Sequence, residues 1–85
     1  MNQAIQFPDR EEWSDSEQAL CFPAMVNGIL LTCMMSSETL ALRFGGDSPA
    51  QWLASFQQCR WDLEDEAEQL IQQQQEDAQG RVWLS

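Results

Sequence analysis

The sequence contains no histidine and no lysine, and these two absences exclude several functions. Without histidine, one chain cannot form the Ser-His or Cys-His pair that activates a nucleophile. Without lysine, and with four scattered arginines, the chain is poorly equipped to neutralise a phosphate backbone, so we expect no nucleic-acid binding. The formal net charge of −10 would also be repelled by an anionic membrane surface.

Long apolar runs are missing as well. No stretch approaches the roughly 20 apolar residues of a membrane span. Residues 1–13 lack the basic start and the apolar core of a signal peptide, so we expect a cytoplasmic protein.

Cysteine is scarce, and its pattern does not suit a metal centre. Cys21, Cys33 and Cys59 are odd in number and show no CxxC spacing. Structural zinc usually takes four Cys or His ligands in closely spaced pairs. We therefore expect three free thiols, with no metal and no cofactor.

The remaining composition is that of a globular protein. The chain has 85 residues, of which 44% are apolar and 21% are charged. This length predicts a single domain, 1–85. We expect an α+β fold, in which a small antiparallel sheet is built on a central β-hairpin. The sheet would pack against a long or bent C-terminal helix that is preceded by a short helix.

The clearest local signal is a β-hairpin around Asn27-Gly28, which lies between two apolar runs. Asn-Gly favours a two-residue type I′ turn, because both positions need a positive φ. This turn would place Val26 opposite Ile29 and continue to Leu20 opposite Met35, with one face entirely apolar. Pro23 has no N–H and should lie at an edge or a bulge. Cys21 and Cys33 would point to opposite faces and could not form a disulfide.

The segments around the hairpin are shorter. Residues 4–7 and 81–84 are candidate strands, and residues 9–13 could form one helical turn or a loop. Residues 37–44 fit either a strand or a short helix. A serine before them and Gly45 after them favour the helix.

The sequence pattern of residues 47–76 predicts a helix. Ser48, Pro49 and Gln51 form an N-terminal capping pattern. A straight helix over residues 49–75 would be about 40 Å long, whereas a domain of this size is about 30 Å across. We therefore expect a bend or break near residues 60–62. The predicted core consists of Phe22, Leu31, Cys33, Phe44, Trp52, Phe56, Leu63 and Leu70.

Four segments of the sequence are similar to one family. The first segment is QFPDREEW, and the second is the hairpin, which contains CFPA, NG and LTC. The third contains RFGGD and QWLASF, and the fourth contains RWDLE and EAEQLI. The chain resembles the small YrdB-like proteins of bacteria over essentially its whole length. This resemblance implies a cytosolic α+β domain and implies no activity, cofactor or site residue.

Two hypotheses for function follow. The first is a non-catalytic interaction module, a monomer or weak homodimer, whose acidic helix or apolar sheet face docks a protein. The second is a small-ligand or thiol-dependent activity of Cys21, Cys33 or Cys59, which needs a thiolate of low pKa. A third hypothesis is an acidic mimic of nucleic acid.

The candidate partner-binding site is Trp61 with Glu64, Asp65 and Glu68, and the partner would be basic. On an ideal helix the apolar positions form a stripe centred near Phe56 and Leu63, and Trp61 lies far from this stripe and among these acids. The favoured expectation is that the break at residues 60–62 rotates the Trp61 side chain back against the rest of the domain. The alternative is an exposed tryptophan that anchors a partner.

Overall fold

The protein folds into a mixed sheet and three helices. The structure is a computed structural model, and it describes residues 5–85. The strands are β1 (Ile5–Gln6), β2 (Glu12–Ser14), β3 (Ala19–Val26), β4 (Ile29–Ser36) and β5 (Arg81–Leu84). The helices are α1 (Ser37–Phe44), α2 (Pro49–Gln58) and α3 (Arg60–Gln72). The α+β class is confirmed. The predicted first strand began at residue 4, which lies outside the described residues.

The hairpin of β3 and β4 is the centre of the sheet, and its predicted register is confirmed. Val26 pairs with Ile29, Phe22 with Cys33, and the ladder continues to the end of both strands. Asn27 and Gly28 adopt φ values of 53° and 81°, as a type I′ turn requires.

All three helices lie on one face of the sheet, and the core forms between them. Five of the predicted core residues are buried: Phe22, Cys33, Trp52, Phe56 and Leu63. The other three are half-buried against the same cluster: Leu31, Phe44 and Leu70. The predicted apolar face of the hairpin lies against this core except at Ile29, which is 65% exposed. Ile29 lies at the hairpin tip, where β5 no longer accompanies β4.

The strand pairing along the outer edge of β3 explains how this strand accommodates Pro23. Strand β1 pairs with the end of β3 and β2 pairs with its beginning, so residues 7–11 bulge out opposite residues 22–24. Pro23 thus lies where no ladder partner needs its missing N–H. The expectation of a helical turn or loop over residues 9–13 is wrong at its end, since Glu12 and Trp13 belong to β2. Trp13 fixes this segment by packing on Trp52, with ring centroids 5.4 Å apart.

Capping interactions determine where the helices begin and end. Residues 37–44 are helical, because the Ser36 side chain accepts a hydrogen bond from the Thr39 N–H and Gly45 ends the helix with a φ of 74°. Ser48 caps α2 in the predicted way, and the predicted break is confirmed at Cys59. The Cys59 N–H is shared between the carbonyls of Ser55 and Phe56, which ends α2 before α3 begins.

The last strand makes the sheet mixed. Strand β5 pairs with β4 in parallel, with Val82 opposite Cys33. The three helices form the crossover that a parallel connection needs. The prediction of an antiparallel sheet is therefore wrong at this edge. No helix in residues 5–85 is long and apolar enough to cross a membrane.

Candidate functional site

Trp61 is the most exposed large apolar residue among residues 5–85, with 83% of its surface accessible. The expectation that the helix break returns it to the core is wrong, although the break itself is present. Helix α3 buries Leu63, Ala67 and Ile71. Trp61 precedes Leu63 by two positions, which is about 200° of helical rotation. The indole therefore points away from the core whatever the angle between α2 and α3.

The carboxylates of α3 divide into two groups. Asp65 lies one turn beyond Trp61 and is exposed, and Glu68 lies a further turn along the same face. Glu64 instead bonds to Arg60 at 3.4 Å, and Glu66 pairs with Arg43. The structure thus brings together Trp61, Asp65 and Glu68 on one face, and it draws Glu64 to the margin of that face.

A surface hollow of about 470 Å³ lies beside Trp61 at the break between α2 and α3. The break produces this hollow, because the backbone stops following a single helical path at Cys59. Its lining includes the polar residues Gln57, Gln58 and Asp62. The sequence predicted the break, but it gave no sign of the hollow.

Arg60 also lines the hollow, and its guanidinium is paired with acidic side chains. Its guanidinium pairs with Glu11, with Asp9 at 3.2 Å and with Glu64. The hydrogen bond from Arg60 lowers the pKa of Glu11. Two of these acids come from the bulge between β1 and β2, which sequence reasoning did not connect to α3. Because Arg60 is neutralised in this way, the surface around Trp61 stays acidic.

The second face of the sheet carries no helix and forms another candidate surface. A groove of about 580 Å³ runs along it. Its floor is formed by Cys21, Pro23 and Met25, and Arg10 of the bulge lines it as well. Leu30 lies at one end and is 59% exposed. This groove lies on the face opposite the predicted apolar face, because Cys21, Pro23 and Met25 alternate along β3 with the buried residues of the core.

Two of the three cysteine thiols have a raised pKa. Burial raises the pKa of the Cys33 thiol to about 12. Burial also raises the pKa of Cys21, and the carboxylates of Glu12 and Glu17 add to this effect. Cys59 is half-buried at the helix break, and all three thiols are free. Within residues 5–85, His, Cys, Asp and Glu side chains form no group of three that could hold a metal ion.

Comparison with known proteins identifies the family. A family model described as "Protein of unknown function (DUF1488)" matches residues 5–84. The chain belongs to this family.

Two curated relatives and one solved structure agree with this assignment. The chain is 69% identical over 84 residues to the "Uncharacterized protein YrdB" of Escherichia coli K12, with 99% of each chain covered. It is 68% identical, with the same coverage, to the protein of that name in Shigella flexneri. The resemblance to YrdB-like proteins is therefore confirmed.

A crystal structure of a DUF1488-family protein of unknown function from Shewanella loihica PV-4 shares the fold with a TM-score of 0.88. That protein is 31% identical to this chain, and the match covers 99% of this chain and 94% of the other. The comparisons thus give a bacterial family and its fold, and the family's function is unknown.

Proposed function

We propose that this DUF1488 protein is a non-catalytic, cytosolic interaction module that docks a basic protein on the exposed face of α3. The observation that carries this proposal is the 83% exposure of Trp61. Tryptophan is enriched among the interface residues that contribute most to binding. An indole that contributes little to the core of its own domain can bury most of its surface against a partner.

The charge of the molecule supports a basic partner. The chain carries 14 acidic and 4 basic residues, and Asp65 and Glu68 share the face of Trp61. Carboxylates around an apolar anchor accelerate the encounter with a cationic surface and make its rate dependent on salt. Their charges also discriminate against acidic partners.

The properties of the thiols weigh against the alternative of thiol-dependent activity. A nucleophilic cysteine needs a lowered pKa, whereas the pKa values of Cys21 and Cys33 are raised. Cys59 lies beside Trp61 in the hollow. Its exposure to alkylating reagents would provide a further measure of partner docking at that place.

Capture from native bacterial cytosol, with crosslinking and mass spectrometry, tests the proposal. The wild type is compared with Trp61→Ala and with Leu42→Ala, a matched control because Leu42 is 81% exposed on α1. We expect a basic protein that the wild type and Leu42→Ala retain, that Trp61→Ala loses, and that salt releases. Equal capture by all three proteins would contradict the proposal. Displacement of the captured protein by DNA would favour mimicry of nucleic acid.

A further inference from the structure

Three of the four arginines share one arrangement, in which the guanidinium lies over an aromatic ring and is held by a carboxylate. Arg60 lies 5.0 Å from the centroid of the Phe56 ring, and three acids hold it. Arg43 lies 5.6 Å from the Phe44 ring. Its two terminal nitrogens bond to the two Glu66 oxygens at 2.9 and 2.6 Å.

Arg81 repeats the arrangement on the other face of the sheet. Its guanidinium lies 5.5 Å from the centroid of the Trp83 ring. Glu17 holds it at 3.0 Å and Asp77 at 3.5 Å. The planar guanidinium suits this position, because it can lie over a ring while its charged edge faces carboxylate oxygens.

Trp61 is an exposed aromatic ring on an acidic helix, and no cation of the described residues lies over it. Its indole is exposed, Asp62 lines the hollow beside it, and Asp65 lies one turn along the helix. No arginine within residues 5–85 lies over this ring. The nearest one in sequence, Arg60, is turned inward to Phe56 and its acids.

We infer that the hollow beside Trp61 receives an arginine side chain of the partner, stacked on the indole and bonded to the carboxylates of Asp62 and Asp65. This inference rests on the proposed function and specifies its chemistry. The hollow, of about 470 Å³, is large enough for one long side chain. Lysine fits less well, because its ammonium is a strongly hydrated point charge that cannot stack.

The occupant is a separate basic protein and not a second copy of this chain. Arg10 is exposed and forms no ion pair within the described residues, so another copy could in principle offer it. However, each copy carries a net charge of −10. The approach of two such chains is opposed by charge repulsion, whereas a cationic partner is attracted.

Two synthetic peptides test the inference. One alternates glycine with arginine and the other alternates glycine with lysine, at equal length and charge. Binding is followed through the indole N–H signals of the four tryptophans by nuclear magnetic resonance. We expect the arginine peptide to bind about two- to fivefold more tightly, as stacking on an exposed ring predicts, and to shift the Trp61 signal most.

Three variants distinguish stacking of arginine on Trp61 from general electrostatic attraction between the peptides and the acidic protein. Trp61→Leu should abolish the preference for arginine and leave a weaker, salt-sensitive binding of both peptides. Trp83→Leu is the control, because Arg81 of the same chain already covers that ring, and it should keep the preference. Asp65→Asn should weaken the binding of both peptides.

The outcomes also separate this inference from the proposed function. Equal binding of the two peptides that still requires Trp61 would overturn the arginine inference and leave docking at α3 intact. A preference that survives Trp61→Leu would overturn it as well. If neither peptide perturbs Trp61, the inference is wrong, and the capture experiment then decides the proposed function independently. A dimer that dissociates in Arg10→Ala would overturn the assignment to a separate partner.

Discussion

Arg60, in the first turn of α3, forms an ion pair with Glu11 of the bulge between β1 and β2, 49 positions away in the chain. This contact attaches the edge of the sheet to the start of the helix that carries Trp61. Both side chains are mostly shielded from solvent, with 17% and 11% of their surfaces accessible. The pair therefore holds the side chain of Arg60, which lines the hollow beside Trp61.

Glu11→Gln should destabilise the protein at pH 7 by about 1–2 kcal/mol, since it removes the charged acceptor of a hydrogen bond from Arg60. The effect should depend on pH, because the pKa of Glu11 is lowered in the folded state. A lowered pKa contributes stability above the unfolded value of about 4.3, and this contribution is lost as the pH falls through the folded value.

Urea unfolding at several pH values measures this effect. The difference between wild type and Glu11→Gln should be largest near pH 7 and should shrink below about pH 4. Glu12→Gln is the matched control, because Glu12 is the exposed neighbour in the chain, and it should change stability by less than about 0.5 kcal/mol. A constant difference from pH 7 to pH 3 would show that the charge of Glu11 is unimportant.

Phe56→Ala should cost about 3–5 kcal/mol, because it removes a fully buried ring from a small core. Phe56 packs against Phe22, with ring centroids 4.8 Å apart, and thereby joins α2 to the sheet. A small domain has only about 5–15 kcal/mol of total stability, so thermal unfolding should occur near ambient temperature. Leu42→Ala should leave melting nearly unchanged, and an equal effect of both variants would contradict this description of the core.

Gly28→Ala should destabilise the hairpin by about 1–2 kcal/mol, which is the cost of a Cβ in the left-handed region. Gly28 has a φ of 81°, and a Cβ built on it would meet no atom within 4 Å. The cost therefore arises from the backbone and not from crowding. Gly28→Asn should cost less, because asparagine tolerates this conformation. Urea unfolding that shows no difference between the two variants would exclude this explanation.

Sequence reasoning predicted the features that depend on neighbouring residues. The Asn27-Gly28 turn determined the hairpin register, and Ser36 with Gly45 determined the helix between them. The break near residue 60 followed from comparing the length of the helix with the size of the domain. Each of these features is controlled by local backbone preferences or by overall dimensions.

Features that depend on distant residues were not predictable in the same way. The direction of β5 depends on how three helices carry the chain across the sheet, which no local pattern reports. The pairing of Arg60 with acids of the bulge depends on a contact across the fold. For the same reason, sequence alone located Trp61 and its acids on α3 but could not show which acids remain available.

The exposure of Trp61 predicts the fluorescence of the protein. Acrylamide, which is neutral and is not repelled by the acidic surface, should quench the Trp61 emission more strongly than that of the other tryptophans. Trp52 is only 8% exposed and Trp83 is 38% exposed, while Trp13 is half-buried. Trp61→Phe should therefore remove the most accessible part of the emission, whereas Trp83→Phe should remove much less.

The stability of Trp61→Ala distinguishes a binding residue from a core residue. An exposed indole contributes little to folding, and alanine is a stronger helix former than tryptophan. The variant should therefore unfold within about 0.5 kcal/mol of the wild type in urea. A loss of more than about 2 kcal/mol would mean that the indole packs against the body in solution. That result would leave the acidic face of α3 without its apolar anchor, because Trp61 is the exposed large apolar residue on that helix in the described part of the chain.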